Sequence, residues 1–141
     1  MNVYKGNIMH SVVNYPGHAP DSKPLGPAPL TPALKAGNML YISGQVGIDP
    51  DTATIVGEGF EEQAHQALRN VRALVENAGF AMSDVIKITV FLTRLDDFSQ
   101  LNAIYAQYFS EPYPTRSTVG ISLQPSSLLI EIEGVAIRAG E

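Results

Sequence analysis

The chain has 141 residues, 45% of them apolar and 16% charged, and no cysteine. Such a length and balance fit one domain with a real core and exclude a disordered chain; the missing thiols exclude disulfides, thiolate nucleophiles and cysteine metal sites. A net charge of −5 argues against a dedicated nucleic-acid binder, and no apolar run approaches the length of a membrane span.

Met1 to His10 lacks the apolar stretch of a signal peptide, so a cytoplasmic location is expected. Met9 is a candidate native start, with the residues before it an added leader. Residues 1–25 are expected to be irregular, within a single domain spanning 1–141. Between residues 14 and 32 stand Pro16, Pro20, Pro24, Pro27, Pro29 and Pro32, with Gly17 and Gly26. Proline removes backbone donors and fixes φ, so this stretch is neither helix nor central strand; it is a functional loop or a wrap over a sheet edge.

Met39 to Gln45 reads as a strand leaving a turn at Gly37-Asn38, and Gly44 within it marks a bulge or a close backbone approach. Asp49-Pro50-Asp51 is a turn. Phe60 to Ala78 is the clearest helix: Ala64, Ala67, Leu68, Val71, Leu74, Val75 and Ala78 form one continuous stripe. Glu61 and Glu62 suit the positive end of its dipole, and Gly79 fits the stop. His65, beside the stripe, reads as a solvated residue. Val85 to Thr93 is a strand with Ile86, Ile88, Val90 and Leu92 on one face and Val85, Lys87, Thr89 and Phe91 on the other. Asp96-Asp97 is expected to cap a second helix with Phe98, Leu101, Ile104, Tyr105 and Tyr108 inside, ended by Pro112 and Pro114. Two strands follow, at about Ser117–Ile121 and Leu128–Arg138, joined by a turn at Gln124-Pro125-Ser126.

This order predicts an α+β domain in which two helices cover one face of a single mixed sheet. The opposite face, with Thr89, Phe91, Glu131 and Glu133, is too apolar for water and too polar for a core, which fits a subunit interface containing clefts.

His10, His18 and His65 match no zinc spacing, and no bound metal is expected. No Gly-x-Ser-x-Gly elbow, phosphate loop or dinucleotide fingerprint occurs. The remaining chemistry lies in Pro114-Thr115-Arg116-Ser117 and in Glu131 and Glu133, two carboxylates on one face of an otherwise apolar strand. Arg116 either closes a sheet end as a cross-strand ion pair with these glutamates or clamps a substrate carboxylate through its fork of N–H donors. In the second case one glutamate, its pKa raised by partial burial, serves as general acid–base. Asn102 is either a hydrogen-bonding helper or a solvated helix residue.

Several stretches together resemble the RidA/YjgF family: Tyr41-Ile42-Ser43-Gly44-Gln45, Gln63 with Asn70, Asp84-Val85 into Thr89-Val90-Phe91-Leu92, Asp97-Phe98 to Asn102 with Tyr105 and Phe109, Pro114-Thr115-Arg116-Ser117, and Glu131-Ile132-Glu133 to Ala136. The resemblance runs from about Gly26 to Arg138. It implies a chorismate-mutase-like (YjgF-like) fold and a homotrimer with clefts between subunits. For the active branch it implies hydrolysis of enamines and imines (2-aminoacrylate, 2-iminopropanoate, 2-iminobutanoate) to 2-keto acids and ammonia, with no cofactor. By that resemblance Arg116 binds the substrate carboxylate, Glu131 positions water, and Gly44, Asn102 and Thr118 line the pocket. The family is also linked to translation inhibition and RNA cleavage, which the acidic balance disfavours here. Two departures stand out. Ala28 replaces a tyrosine usual after Gly-Pro, and Thr118 stands where the best-known members have cysteine. Tyr113 is a candidate to fill the space left at Ala28. The alternatives are a related enzyme for a larger enamine or imine and a non-catalytic trimer that binds small carboxylates.

Overall fold

The computed structural model describes residues 2–5 and 8–139. In chain order the strands are β1 (Asn2–Lys5), β2 (Ile8–Val13), β3 (Ala33–Ala36), β4 (Met39–Val46), β5 (Ile48–Asp49) and β6 (Thr54–Ile55); then helix α1 (Phe60–Asn77), strand β7 (Val85–Leu92), helix α2 (Phe98–Tyr105), and strands β8 (Thr115–Gly120) and β9 (Ile130–Ile137). Among the described residues the main sheet runs β1-β2-β3-β4-β9-β7-β8, with β5 and β6 as a separate ribbon. Its pairs are antiparallel except β7 with β8, which α2 connects as a crossover. The sheet is therefore mixed, as expected.

The core forms where α1 lies on the sheet. Ala64, Ala67, Leu68, Val71, Leu74 and Val75 are buried against Leu40 and Ile42 of β4, Ile88, Val90 and Leu92 of β7, and Ile130, Ile132 and Ala136 of β9. These strand residues alternate inward with period two and the helix residues repeat with period 3.6, so both patterns present one apolar face. Gly59 precedes α1, and its N–H donates to Glu62 Oε1 at 2.8 Å. At the other end Gly79 takes φ +84°, and the Arg138 guanidinium donates to its carbonyl.

Two buried polar residues of α1 tie loops to this core. Gln63 donates to the carbonyls of Gly57 and Ser127 and accepts from the Leu129 N–H at 2.8 Å. Asn70 donates to the carbonyls of Val46 and Ile48. Tyr15, two residues beyond β2, donates to Gln45 Oε1 at 2.7 Å and anchors the start of the proline-rich loop.

Several expectations are corrected. The first 25 residues are not irregular throughout: β2 extends the sheet by pairing with β3, and β1 pairs with β2. Backbone pairing along an open edge, helped by the branched Val12 and Val13, was invisible in a segment read by its prolines. In β7 the register shifts between Val85 and Lys87, so Val85 turns inward and Ile86 is exposed, reversing their expected faces. Asp97 does not cap α2 with its side chain; its carboxylate accepts from Arg94 Nε at 3.0 Å. Phe98 is 43% exposed rather than inside. His65 is half-buried, with Nδ1 at 2.8 Å from the Tyr108 hydroxyl, rather than solvated.

Candidate active site

Arg116 lies inside β8, the edge strand. Its register partner is Ile88, and that of Thr118 is Val90; both partners are buried beneath the helices. Paired residues in a ladder share a face, so Arg116 and Thr118 point to the helix-covered side. There α2 supplies Asn102 and Tyr105, three residues apart and hence neighbours on the helix surface. Asn102 Oδ1 accepts from the Arg116 guanidinium at 2.7 Å. The guanidinium carbon lies 4.8 Å from the Tyr105 ring centroid and 5.6 Å from that of Phe98. Asn102, Tyr105, Ala106, Tyr113, Pro114 and Arg116 line an open cleft of about 300 Å³. No carboxylate forms an ion pair with Arg116 among the described residues.

Burial pushes the Tyr105 hydroxyl up to about 12, with the nearby Arg116 charge opposing part of the rise. That hydroxyl is enclosed and has no hydrogen-bond partner among the described residues.

Glu131 is on the other side of the sheet. It pairs with Phe91 and with Val46, and neighbouring Ile130 and Ile132 carry the core face of β9. Glu133 shares its side and is exposed. Partial burial, and then repulsion from Glu133, hold the Glu131 carboxyl above the usual glutamate range. Glu131 lies across Gly44, where β4 shifts register against β9. A Cβ at Gly44 would stand 1.9 Å from Glu131 Oε1, so only a residue without a side chain leaves the carboxylate in place.

The structure thus brings Arg116, Asn102 and Thr118 to one side and Glu131 with Gly44 to the other. The cross-strand ion pair considered for Arg116 does not form, because the register sends the arginine and both glutamates to opposite faces. Asn102 is exposed, as the solvated reading has it, and its side chain is also a hydrogen-bond partner of the guanidinium. Tyr113 does line the arginine cleft, but Ala28 lines a different pocket with Tyr15, Leu25, Leu30 and Pro32, so within one chain Tyr113 does not fill its space. Sequence reading placed Tyr105 and Phe98 in a helix interior and missed their stacking on the arginine. Their spacing relative to Asn102 was the available signal. Among the described residues no His, Asp and Glu side chains gather as metal ligands would, and no helix is long and apolar enough to cross a membrane.

A small mixed sheet with two helices on one face, an arginine cleft at one edge and a raised carboxyl on the other face defines an α+β class of protein. Residues 21–138 match the family model described as Endoribonuclease L-PSP. The chain is 46% identical over 116 residues to a RutC family protein of Pyrococcus horikoshii, covering 82% of this chain and 90% of that protein. It is 38% identical over 119 residues to a 2-iminobutanoate/2-iminopropanoate deaminase of Dermatophagoides farinae, covering 82% and 93%. The fold matches the crystal structure of RidA from an Antarctic Psychrobacter species with a TM-score of 0.75 at 40% identity, covering 83% of this chain and 97% of that one. The chain belongs to the RidA/YjgF family, which includes reactive intermediate deaminases.

Proposed function

We propose that this protein hydrolyses small 2-imino acids and their enamine tautomers to 2-keto acids and ammonia, at sites formed between copies of the chain in a homotrimer. The observation that carries the reading is Arg116, a half-buried guanidinium oriented by Asn102 at a cleft, with no carboxylate of its own chain against it among the described residues. An arginine held this way presents paired donors to a planar carboxylate. The family relationship to a 2-iminobutanoate/2-iminopropanoate deaminase supports the substrate class.

The chemistry needs little from the protein beyond placement and proton transfer. With the substrate carboxylate on Arg116, a water oxygen attacks C2 of the imine as a carboxylate takes one of its protons. The C=N pair of the protonated imine moves to nitrogen, and a neutral tetrahedral carbinolamine forms. The same carboxyl gives its proton to the amine, the C–N bond breaks, the hydroxyl passes its proton to the carboxylate as the C=O bond forms, ammonia departs, and the carboxyl releases that proton to solvent. Glu131 is assigned this role because burial and the Glu133 charge raise its pKa, which makes its carboxylate a stronger base than an ordinary glutamate. Gly44 leaves room for its carboxylate, and Thr118 lies two residues beyond Arg116 on the same face of β8. As Arg116 and Glu131 occupy opposite faces of one sheet, the complete site takes its arginine from one copy and its glutamate from the next. A ring of three copies repeats this contact around a closed symmetry. No cofactor enters the scheme.

The volume of the cleft favours a second reading within the same chemistry, a larger imino acid whose side chain lies along Tyr113 and Pro114. A binder without turnover is the outcome that would replace both. Nucleic acid is the less favoured partner, given the net charge of −5.

The test is formation of 2-keto acid and ammonia from 2-iminopropanoate and 2-iminobutanoate generated in situ, for wild type and Arg116→Ala. Acceleration by wild type that is lost in a folded Arg116→Ala supports the reading. Full activity in the variant rules out the clamp, and no acceleration by wild type with either substrate sinks the small-substrate deaminase.

A further inference from the structure

Arg116 is held by more than Asn102. Its guanidinium lies over the Tyr105 ring at 4.8 Å and near the Phe98 ring at 5.6 Å, and the Phe109 ring backs Tyr105 at a centroid distance of 4.6 Å. A guanidinium is weakly hydrated on its faces and strongly hydrogen-bonding at its edges, so aromatic rings take the faces at little cost and leave the N–H fork free. The Tyr105 hydroxyl contributes nothing visible to this arrangement, because it is enclosed and has no partner among the described residues. Phe98 is not explained by the core at all: it is a large apolar side chain left 43% exposed at the start of α2. Its ring lies within cation–π range of the arginine.

We propose that Phe98 and Tyr105 are positioning residues that fix the plane of the Arg116 guanidinium, so that its remaining donors meet a substrate carboxylate without a rotamer search. This inference rests on the reading of Arg116 as the carboxylate clamp. A long flexible side chain loses conformational freedom when it binds; a clamp stacked in advance has already lost it. The rings therefore act on binding rather than on the bond-breaking step. The ring of Tyr105 is the working part and its hydroxyl is dispensable.

The experiment titrates 2-oxobutanoate, a small 2-keto acid, into the assembled protein by calorimetry and measures kcat and KM with 2-iminopropanoate, for wild type, Phe98→Ala, Tyr105→Phe and Tyr105→Leu. Loss of one stacked ring is expected to raise Kd and KM about three- to tenfold in Phe98→Ala and Tyr105→Leu. kcat should stay within about twofold, as uniform binding rather than transition-state binding is lost. Tyr105→Phe should match wild type. Unchanged Kd and KM in Phe98→Ala, or a Tyr105→Phe as impaired as Tyr105→Leu, would overturn the proposal. Should Tyr105→Leu fail to fold, the exposed Phe98→Ala and the conservative Tyr105→Phe still decide it. If wild type binds 2-oxobutanoate but turns nothing over, the deaminase reading fails while the positioning inference is judged on Kd alone. If wild type does not bind it, the clamp and this inference fall together.

Discussion

Glu131 is the residue whose surroundings say most about its chemistry. Burial, and after it the Glu133 charge, raises its pKa. A carboxyl with a raised folded pKa binds its proton more tightly in the native state than in the unfolded chain. Its stabilising effect is complete below the ordinary glutamate pKa and is lost as pH rises through the raised value. Glu131→Gln should therefore be more stable than wild type at neutral pH, with the advantage fading on acidification into the normal carboxylate range; urea midpoints across pH check this. The same variant should lose kcat by about 10²- to 10⁴-fold, the usual contribution of a general acid–base. The acid limb of the kcat/KM profile should sit above the ordinary glutamate range and move down in Glu133→Gln, which removes the second cause of the shift. Gly44→Ala tests the same spot from beneath. The added methyl would collide with Glu131 Oε1, and the flexible carboxylate would yield before the backbone. The expected result is a folded protein with a kcat about 10- to 100-fold lower, as a displaced base forfeits part of that contribution.

At the scale of elements, α1 holds the loops that frame the sheet. Gln63→Ala leaves the buried Leu129 N–H without its acceptor and should cost roughly 1–3 kcal/mol, seen as a lower urea midpoint at an unchanged m-value. The stripe of α1, the stop at Gly79, the two faces of β9 and the break at Gly44 were legible because each follows from a strict period or from the one residue type lacking a side chain. Ile86 was misread because a single bulge residue inverts parity, and no local pattern announces it. β1 and β2 were missed because strands at a sheet edge depend on a distant partner, here β3, more than on their own alternation. The candidate site was readable from sequence only as a set of residues, Arg116, Asn102 and Glu131 by type and Gly44 and Thr118 through the family resemblance. Its division was not, because the side to which Arg116 points is set by the parallel register of β7 and β8, a long-range pairing.

Across the whole molecule the helices cover one face of the sheet and leave the other bare. Tyr41, Val119 and Ile137 are exposed there, Phe91 and Val135 are half-buried, and Glu131 lies among them. An apolar face of this kind around a raised carboxyl suits contact with another copy. Tyr41→Asp, placing a charge on that face, should lower the mass measured by light scattering towards that of one chain while the far-UV circular dichroism is retained. The central claim is that Arg116 and Glu131 act together only across two copies. Its most direct test unfolds Arg116→Ala and Glu131→Gln, each inactive alone, mixes them in equal amounts, refolds them together and assays imine hydrolysis. In a randomly mixed trimer about a quarter of the sites would draw an intact arginine from one variant and an intact glutamate from the other, so activity should return to about that fraction of wild type. Mixed trimers that form, as shown by mass, yet stay inactive would contradict the shared site.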